Sequence, residues 1–386
     1  MKSIKNQIFL LLLLLSTTFA PVAFAAGKLV WTFDYTKWNL PEYGKPLYDK
    51  NKLETMGAYD KPNPWYNVQF TPDNEILISF LEHRYQPQLG SKAQPEKIVV
   101  LLLSRGKGEL IRRVEWSIVN DFAAQARFGP RICPLPSGGY VTLINEHLQV
   151  LDSSFSVIHD RVLDVSERLY NITVPLSGKF FILGQSADRR KRTSEIINSV
   201  TFETIELFDK SYSGIADIWE DRLLSESYID SDGIRETRFF EKQIGASQWN
   251  DLVSVQRGGY VEAKFIYNGA IVVSDPPHQK KFWLMIEDGR KSEPVSKGFI
   301  QFKSSRNAPI VANKVNRTSA IRNFFDLFDK ESIEAYDLNT RQVLLETKKY
   351  TDIVDYAISP DGDNIILITK KKIELYAVYF KKDKKK

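Results

Sequence analysis

The apolar positions of the chain fall into short runs, broken at close intervals by Gly, Asp, Asn or Lys. Lys97-Ile98-Val99-Val100-Leu101-Leu102-Leu103 and Asp363-Asn364-Ile365-Ile366-Leu367-Ile368-Thr369 are dense in branched side chains, which suit the pleated, buried surface of a strand. Residues 332–338 and 372–378 alternate apolar with polar positions, the period of a half-buried strand. No long segment of helical period follows the first 25 residues. The pattern predicts an all-β chain, and an aromatic content of 12% fits such surfaces.

Two kinds of punctuation recur. The first is a tight turn leading into an apolar strand: Pro72-Asp73-Asn74, Pro136-Ser137-Gly138-Gly139, Pro175-Leu176-Ser177-Gly178, Arg257-Gly258-Gly259 and Ser359-Pro360-Asp361-Gly362. Gly-Gly-Tyr-Val occurs at 138–141 and again at 258–261, 120 residues later. The second is a strand closing on an aspartate before another strand, as at Asp152, Asp209 and Asp337; 101–114 and 282–295 are looser versions. The turns near 72, 136, 176, 257 and 360 step by 64, 40, 81 and 103 residues. A unit of roughly 40–50 residues with insertions accounts for these steps, and that period with four strands per unit predicts a β-propeller. A lone four-stranded sheet cannot bury both faces; packing sheets around an axis buries them, and closing the circle protects the edges.

Tyr356-Ala357-Ile358-Ser359-Pro360-Asp361-Gly362-Asp363-Asn364-Ile365-Ile366-Leu367, with Ile373-Glu374-Leu375-Tyr376 after it, resembles a blade of the WD40/YVTN-type propellers. The hairpin over 333–346 resembles the end of the blade before it. The resemblance covers about the last 55 residues closely and the rest loosely; the Trp-Asp and Gly-His pairs of standard WD40 repeats are absent. Roughly 315 residues at about 45 per blade predict seven four-stranded blades, with six or eight still open. A large β-sandwich or a pair of β domains is the alternative architecture. Residues 372–378 lack a following outer strand, and residues 28–34 are expected to supply it and close the ring. The stretch 213–250 is the least regular; Ser231-Asp232-Gly233 is expected to mark its turn.

Residues 1–25 read as a cleaved export signal: Lys2 and Lys5, an apolar core over 8–20, then Ala23-Phe24-Ala25. Thirteen apolar residues fall short of the roughly 20 that a spanning helix needs, so no stable membrane anchor is expected. The division is a signal at 1–25, an N-terminal arm with the closing strand at 26–66, the propeller at 67–380 and a basic tail at 381–386. The formal net charge is +5. Without the two signal lysines it is +3, and the tail alone carries +4, so the body is near −1. The basic character belongs to the two ends and gives no reason to expect nucleic acid as a partner. One cysteine, Cys133, suits an oxidising compartment. The expected location is periplasmic or extracellular, with a bacterial periplasm preferred.

Connections expected to be long are 81–96, 185–200, 274–281 and 313–330, all on one face of the ring. They hold His83, Arg84, Arg189, Arg190, Lys191, Arg192 and His278 with few acids beside them. Loop insertions on one face of a repeat fold often carry its function. Ligand-binding residues are therefore expected at His83, Arg84, Arg189, Arg190, Arg192 and His278, and the expected partner is an acidic protein, peptide or glycan. The four histidines show no His-x-His or His-Glu-x-x-His spacing, no Gly-x-Ser-x-Gly occurs, and Cys133 sits in an apolar run; no metal or cofactor is expected. The sequence favours an exported, non-catalytic binding propeller. The alternative is a propeller enzyme of lactonase, sulfotransferase or hydrolase type with its site at the channel mouth, drawing single residues from distant loops.

Overall fold

A computed structural model of the chain describes residues 28–34, 66–82, 96–118, 132–164, 169–188, 191–211, 213–231, 234–256, 262–275, 281–285, 291–297, 302–316, 331–350, 353–369 and 372–378. These residues form 28 strands, which hydrogen-bond as seven four-stranded antiparallel sheets. Strand β1 (Lys28–Asp34) comes first in the chain and belongs to the last sheet. Blade 1 is β2 (Tyr66–Phe70), β3 (Ile76–Glu82), β4 (Glu96–Leu103) and β5 (Leu110–Ile118). Blade 2 is β6 (Ile132–Pro134), β7 (Tyr140–Ile144), β8 (His147–Leu151) and β9 (Val157–Val162). Blade 3 is β10 (Leu169–Thr173), β11 (Phe180–Asp188), β12 (Lys191–Asn198) and β13 (Thr204–Ser211). Blade 4 is β14 (Ser213–Trp219), β15 (Arg222–Ser231), β16 (Ile234–Gln243) and β17 (Asn250–Gln256). Blade 5 is β18 (Glu262–Phe265), β19 (Ile271–Asp275), β20 (Lys281–Met285) and β21 (Lys291–Lys297). Blade 6 is β22 (Phe302–Ser304), β23 (Ile310–Asn316), β24 (Glu331–Asp337) and β25 (Gln342–Glu346). Blade 7 is β26 (Ile353–Ile358), β27 (Asn364–Thr369) and β28 (Lys372–Ala377), with β1 paired to β28 as its fourth strand.

The sheets pack face to face in a closed circle, and a separate apolar cluster fills each contact between neighbours. Val99 and Leu101 of blade 1 meet Ile366 and Leu375 of blade 7. Leu77 and Leu102 meet Ile132 and Tyr140 of blade 2. Val141 and Leu148 meet Phe181 and Leu183 of blade 3, and Ile182 and Ile196 meet Ile218 and Leu223 of blade 4. Leu224 and Phe239 meet Ala263 and Phe265 of blade 5, Ile266 and Val272 meet Phe302 and Val311 of blade 6, and Ile310 and Ile333 meet Tyr356 and Leu367 of blade 7. Each fully buried Leu, Ile or Phe contributes about 1.5–3 kcal/mol relative to its exposed state. The seven clusters are what a closed propeller requires, because the two faces of every sheet are both covered.

Local chemistry sets the turns. After the third strand of blades 2, 3 and 6, an acidic or amide side chain caps the turn to the outermost strand: Asp152 accepts from the Ser154 and Ser156 N–H groups, Asn198 from Val200 and Thr201, and Asp337 from Asn339 and Thr340. Such Asx turns replace a backbone hydrogen bond with a side-chain one. Of the five expected turns between first and second strands, those at 72–74, 136–139, 175–178 and 359–362 sit there; the turn at 257–259 does not. It falls between β17 and β18, outside the described residues, and blade 5 turns instead through Tyr267-Asn268-Gly269. Asp209 is also not a turn residue, since β13 runs through it. Of the expected turn at Ser231-Asp232-Gly233, residues 232–233 lie outside the described residues, and blade 4 makes its first turn through Glu220-Asp221 with Glu220 at φ 53°.

Two of the expected long loops are shorter than their polarity suggested. β11 and β12 stay paired out to Asp188 and Lys191, so only two residues join them. The sequence signal for a strand is apolar alternation, and the run through Ser186, Asp188, Lys191 and Thr193 carries none, so these strand ends read falsely as loop. β19 and β20 likewise run to Asp275 and from Lys281. The connections 83–95 and 317–330 remain long.

Candidate functional site at the axial mouth

The innermost strands β2, β6, β10, β14, β18, β22 and β26 surround the axis, and all seven line one cavity of about 300 Å³. The wall runs on past the strand ends into the turns at Pro72, Pro136, Pro175, Arg306 and Pro360. The cavity thus opens on the face that carries the first-to-second-strand turns, the face opposite the long connections. Proline is suited to this rim. No further strand pairs with the inner edge of an innermost strand, so an absent N–H costs no ladder bond there, and the fixed φ stiffens the turn.

Most of the wall is apolar, with Phe70, Leu135, Val174, Phe302 and Ile358 among its side chains. Against it stand two carboxyl-bearing positions whose charge is already engaged. Asp217 takes the Phe265 N–H at 2.9 Å and the Ile218 N–H at 2.8 Å. Asp355 takes the Val68 N–H at 2.9 Å and has Lys303 Nζ at 3.7 Å. Both sit at a register shift in their innermost strand, where a bulge re-aims the side chain towards the next blade. Each carboxylate joins two adjacent blades through an inner-strand amide.

Three cations line the same cavity: Lys264, Lys303 and Arg306. Lys264 Nζ lies 5.8 Å from the Phe302 ring centroid and Lys303 Nζ 6.0 Å from that of Tyr356. Arg306 leaves the turn after β22 and donates from its guanidinium to the Pro136 carbonyl at 3.0 Å. Blade 6 and blade 2 are separated by blades 7 and 1 on one side and by blades 3, 4 and 5 on the other, so this side chain crosses the axis. It has no carboxylate partner among the described residues, and burial pulls its pKa down. A guanidinium offers five N–H donors; one neutral carbonyl engages one of them.

The sequence-predicted residues are mostly beyond what the structure describes. His83, Arg84, Arg189, Arg190 and His278 lie outside the described residues. Arg192 is in β12, opposite Ser186 and Lys210, two strands out from the innermost strand β10. The other two histidines sit at the rim of blade 2, His147 against Asp160 at 2.9 Å and His159 against the Val200 carbonyl at 3.0 Å. Cys133 is buried in β6 and its thiol is pushed up to about 12 by burial, the state of a packed thiol rather than a nucleophile. Among the described residues no three His, Cys, Asp or Glu side chains gather to hold a metal ion, and no helix is long and apolar enough to cross a membrane. Sequence reasoning missed Arg306, Lys303 and Lys264. Arg306 was findable only by recognising Ser305-Arg306-Asn307-Ala308-Pro309 as a first turn, and that segment does not open on the proline that marks the turns at 72, 136 and 175.

Among solved structures, the WD40 domain of Neurospora crassa Pan2 is similar over 92% of this chain and 96% of its own, with a TM-score of 0.53 at 9% identity. The fold is that of a WD40-like β-propeller. A eukaryotic initiation factor is similar over 82% of this chain and 76% of its own, at TM-score 0.43 and 10% identity. No family model and no curated protein matches the chain in sequence. The likeness to the Pan2 domain is one of fold.

Proposed function

We propose that this chain is an exported, non-catalytic propeller that holds an acidic protein, peptide or glycan ligand at the axial mouth of its ring. One observation carries the reading: all seven innermost strands converge on a cavity where Arg306 presents a half-buried charge with no acid beside it among the described residues. Bringing a cation out of water is costly unless an anion or several acceptors replace its hydration, and a ligand carboxylate or sulfate supplies both. Export is supported by the charged start, apolar core and Ala23-Phe24-Ala25 of the first 25 residues.

Calorimetry with a poly-glutamate peptide and with oligogalacturonate tests the site. Arg306→Glu is expected to weaken binding roughly tenfold or more, as loss of a charge-assisted contact does. Reversing Arg189, Arg190 and Arg192 together probes the opposite face and is expected to leave binding unchanged. The reverse pattern moves the site to the long connections. Intact mass of the exported chain, with Ala26 as first residue, checks the export step.

A further inference from the structure

Resting on the axial-mouth reading, we infer that the ligand group taken at Arg306 is the C-terminal carboxylate of a peptide chain, with the side chain of its last residue against the apolar wall. Three features separate this from other acidic ligands. The cavity is near the lower end of the size range of ligand pockets, at about 300 Å³. A chain end fits that space, and a folded surface does not. Its wall is mainly aliphatic, aromatic and prolyl, with the open Arg306 guanidinium and a few polar side chains among them. A sugar ring would turn part of its hydroxyls onto Leu135, Val174 and Ile358, a loss for each group left unpaired. A terminal carboxylate carries one planar charge at the end of an otherwise apolar residue, and a guanidinium fork matches that plane with two parallel N–H donors.

The cation arrangement also favours a chain end. Lys303 leans on Asp355, and Asp355 and Asp217 are bound to backbone amides. Arg306 is a cation at the mouth with no carboxylate beside it among the described residues. An internal acidic side chain would need its flanking backbone to enter the ring of prolines on both sides, whereas a terminus enters from one side. Capture of a C-terminal carboxylate is an established way for a protein to recognise a peptide end.

A randomised pool of N-acetylated hexapeptides, half free acids and half C-terminal amides, is passed over the immobilised full-length mature chain and read by mass spectrometry. Free acids ending in apolar residues are expected to be enriched roughly tenfold or more over the matching amides. Arg306→Gln is expected to abolish the preference, with an unchanged melting temperature as the check on folding. A second variant, Val174→Trp, fills the apolar wall without touching the charge and is expected to remove the preference for apolar last residues. Equal retention of acids and amides overturns the inference. Oligogalacturonate bound in an Arg306-dependent manner, with no preference among peptides, overturns the peptide terminus and leaves the axial reading standing. Failure of every probe to show Arg306-dependent binding overturns both.

Discussion

The contact between blades 7 and 1 and the contact between blades 3 and 4 do the same job with different chemistry. Between blades 7 and 1, thirteen buried apolar residues form one cluster, with Trp31, Phe70, Leu110 and Val354 packed on it. Between blades 3 and 4 the described cluster has four: Ile182, Ile196, Ile218 and Leu223. There Lys242 reaches across to Glu206 and to the Ala246 carbonyl at 3.0 Å, with its Nζ 5.0 Å from the Trp249 ring centroid. Blade 7 is completed by β1 from the far end of the described chain, held only by its pairing with β28 and by side-chain packing. Blades 3 and 4 are each built from one continuous stretch, so their contact tolerates a polar seam.

The largest expected effect is the loss of the joining strand. A chain lacking residues 28–34 leaves the outer edge of β28 unpaired and uncovers the cluster that Phe33 and Trp31 close. Those two side chains alone account for about 3–5 kcal/mol. Denaturant unfolding is expected to lose its single sharp transition, and size-exclusion chromatography is expected to show association through the open edge. A truncated chain with native midpoint and mass would contradict the role of β1. Next in size is Ile366→Ala, at a site with no exposed surface, expected to cost about 2–5 kcal/mol. Ile196→Ala is equally buried but has fewer apolar neighbours, and is expected to fall at the lower end of that range. Equal losses would mean that the two contacts differ in composition and not in strength.

The same contrast governs what was legible in the chain. Blade 7 announced itself through Ser359-Pro360-Asp361-Gly362 and the branched run after it, because that turn's constraints are written in proline and glycine. Blade 4 was opaque: its first turn uses Glu220 at positive φ, and its strands β15 and β16 carry more polar than apolar residues. A second repeat went unread for a different reason. In blades 1, 2 and 3 the turn before the outermost strand holds one residue at positive φ: Gly108, Phe155 and Phe202. In each case the preceding blade's outermost strand packs on it. Trp31 lies on Gly108, where a Cβ would meet the indole at 2.9 Å; Arg112 lies over Phe155 at 6.0 Å and Arg161 over Phe202 at 5.5 Å. The ring comes from the strand in blade 1 and from the turn in blades 2 and 3, so the residue types repeat in only two of the three contacts. The axial site was illegible on the same grounds, since Arg306 and the Pro136 carbonyl lie 170 positions apart.

Acid is expected to weaken blade 7 through Glu374. Its side chain has no exposed surface, and it accepts from Tyr350, from Tyr376 at 3.2 Å and from Lys348 at 2.9 Å, with Lys372 at 3.1 Å. Burial alone would raise its pKa, but those donors outweigh it and hold the carboxyl below its ordinary value of 4.5. A group whose pKa is lower folded than unfolded contributes stability above the unfolded pKa and loses it as pH falls through the folded one. The melting temperature of the wild-type chain is therefore expected to drop faster below about pH 4.5 than that of Glu374→Gln. Parallel profiles would show that the donors stabilise the acid and the carboxylate equally.

The smallest net effect is expected where the two contacts are made alike. At the contact of blades 3 and 4, Lys242→Met leaves Glu206 facing a half-buried seam without its cation, and Glu206→Leu leaves Lys242 in the same position, with 7% of its side chain exposed. Either change alone is expected to cost about 1–3 kcal/mol, mainly the desolvation of the charge left behind. The double variant removes both charges and lets the two introduced apolar side chains meet Trp249 and Phe208, which already touch edge to face at 5.7 Å. Its stability is expected within about 1 kcal/mol of the wild type, because a well-packed apolar pair offsets the lost ion pair. A double-mutant cycle by urea unfolding reads the coupling directly. If the losses simply add, the pair contributes no coupling and the polar seam is held by its four apolar residues; if the double variant recovers, the blade 3–4 contact has been converted to the dry form of the blade 7–1 contact.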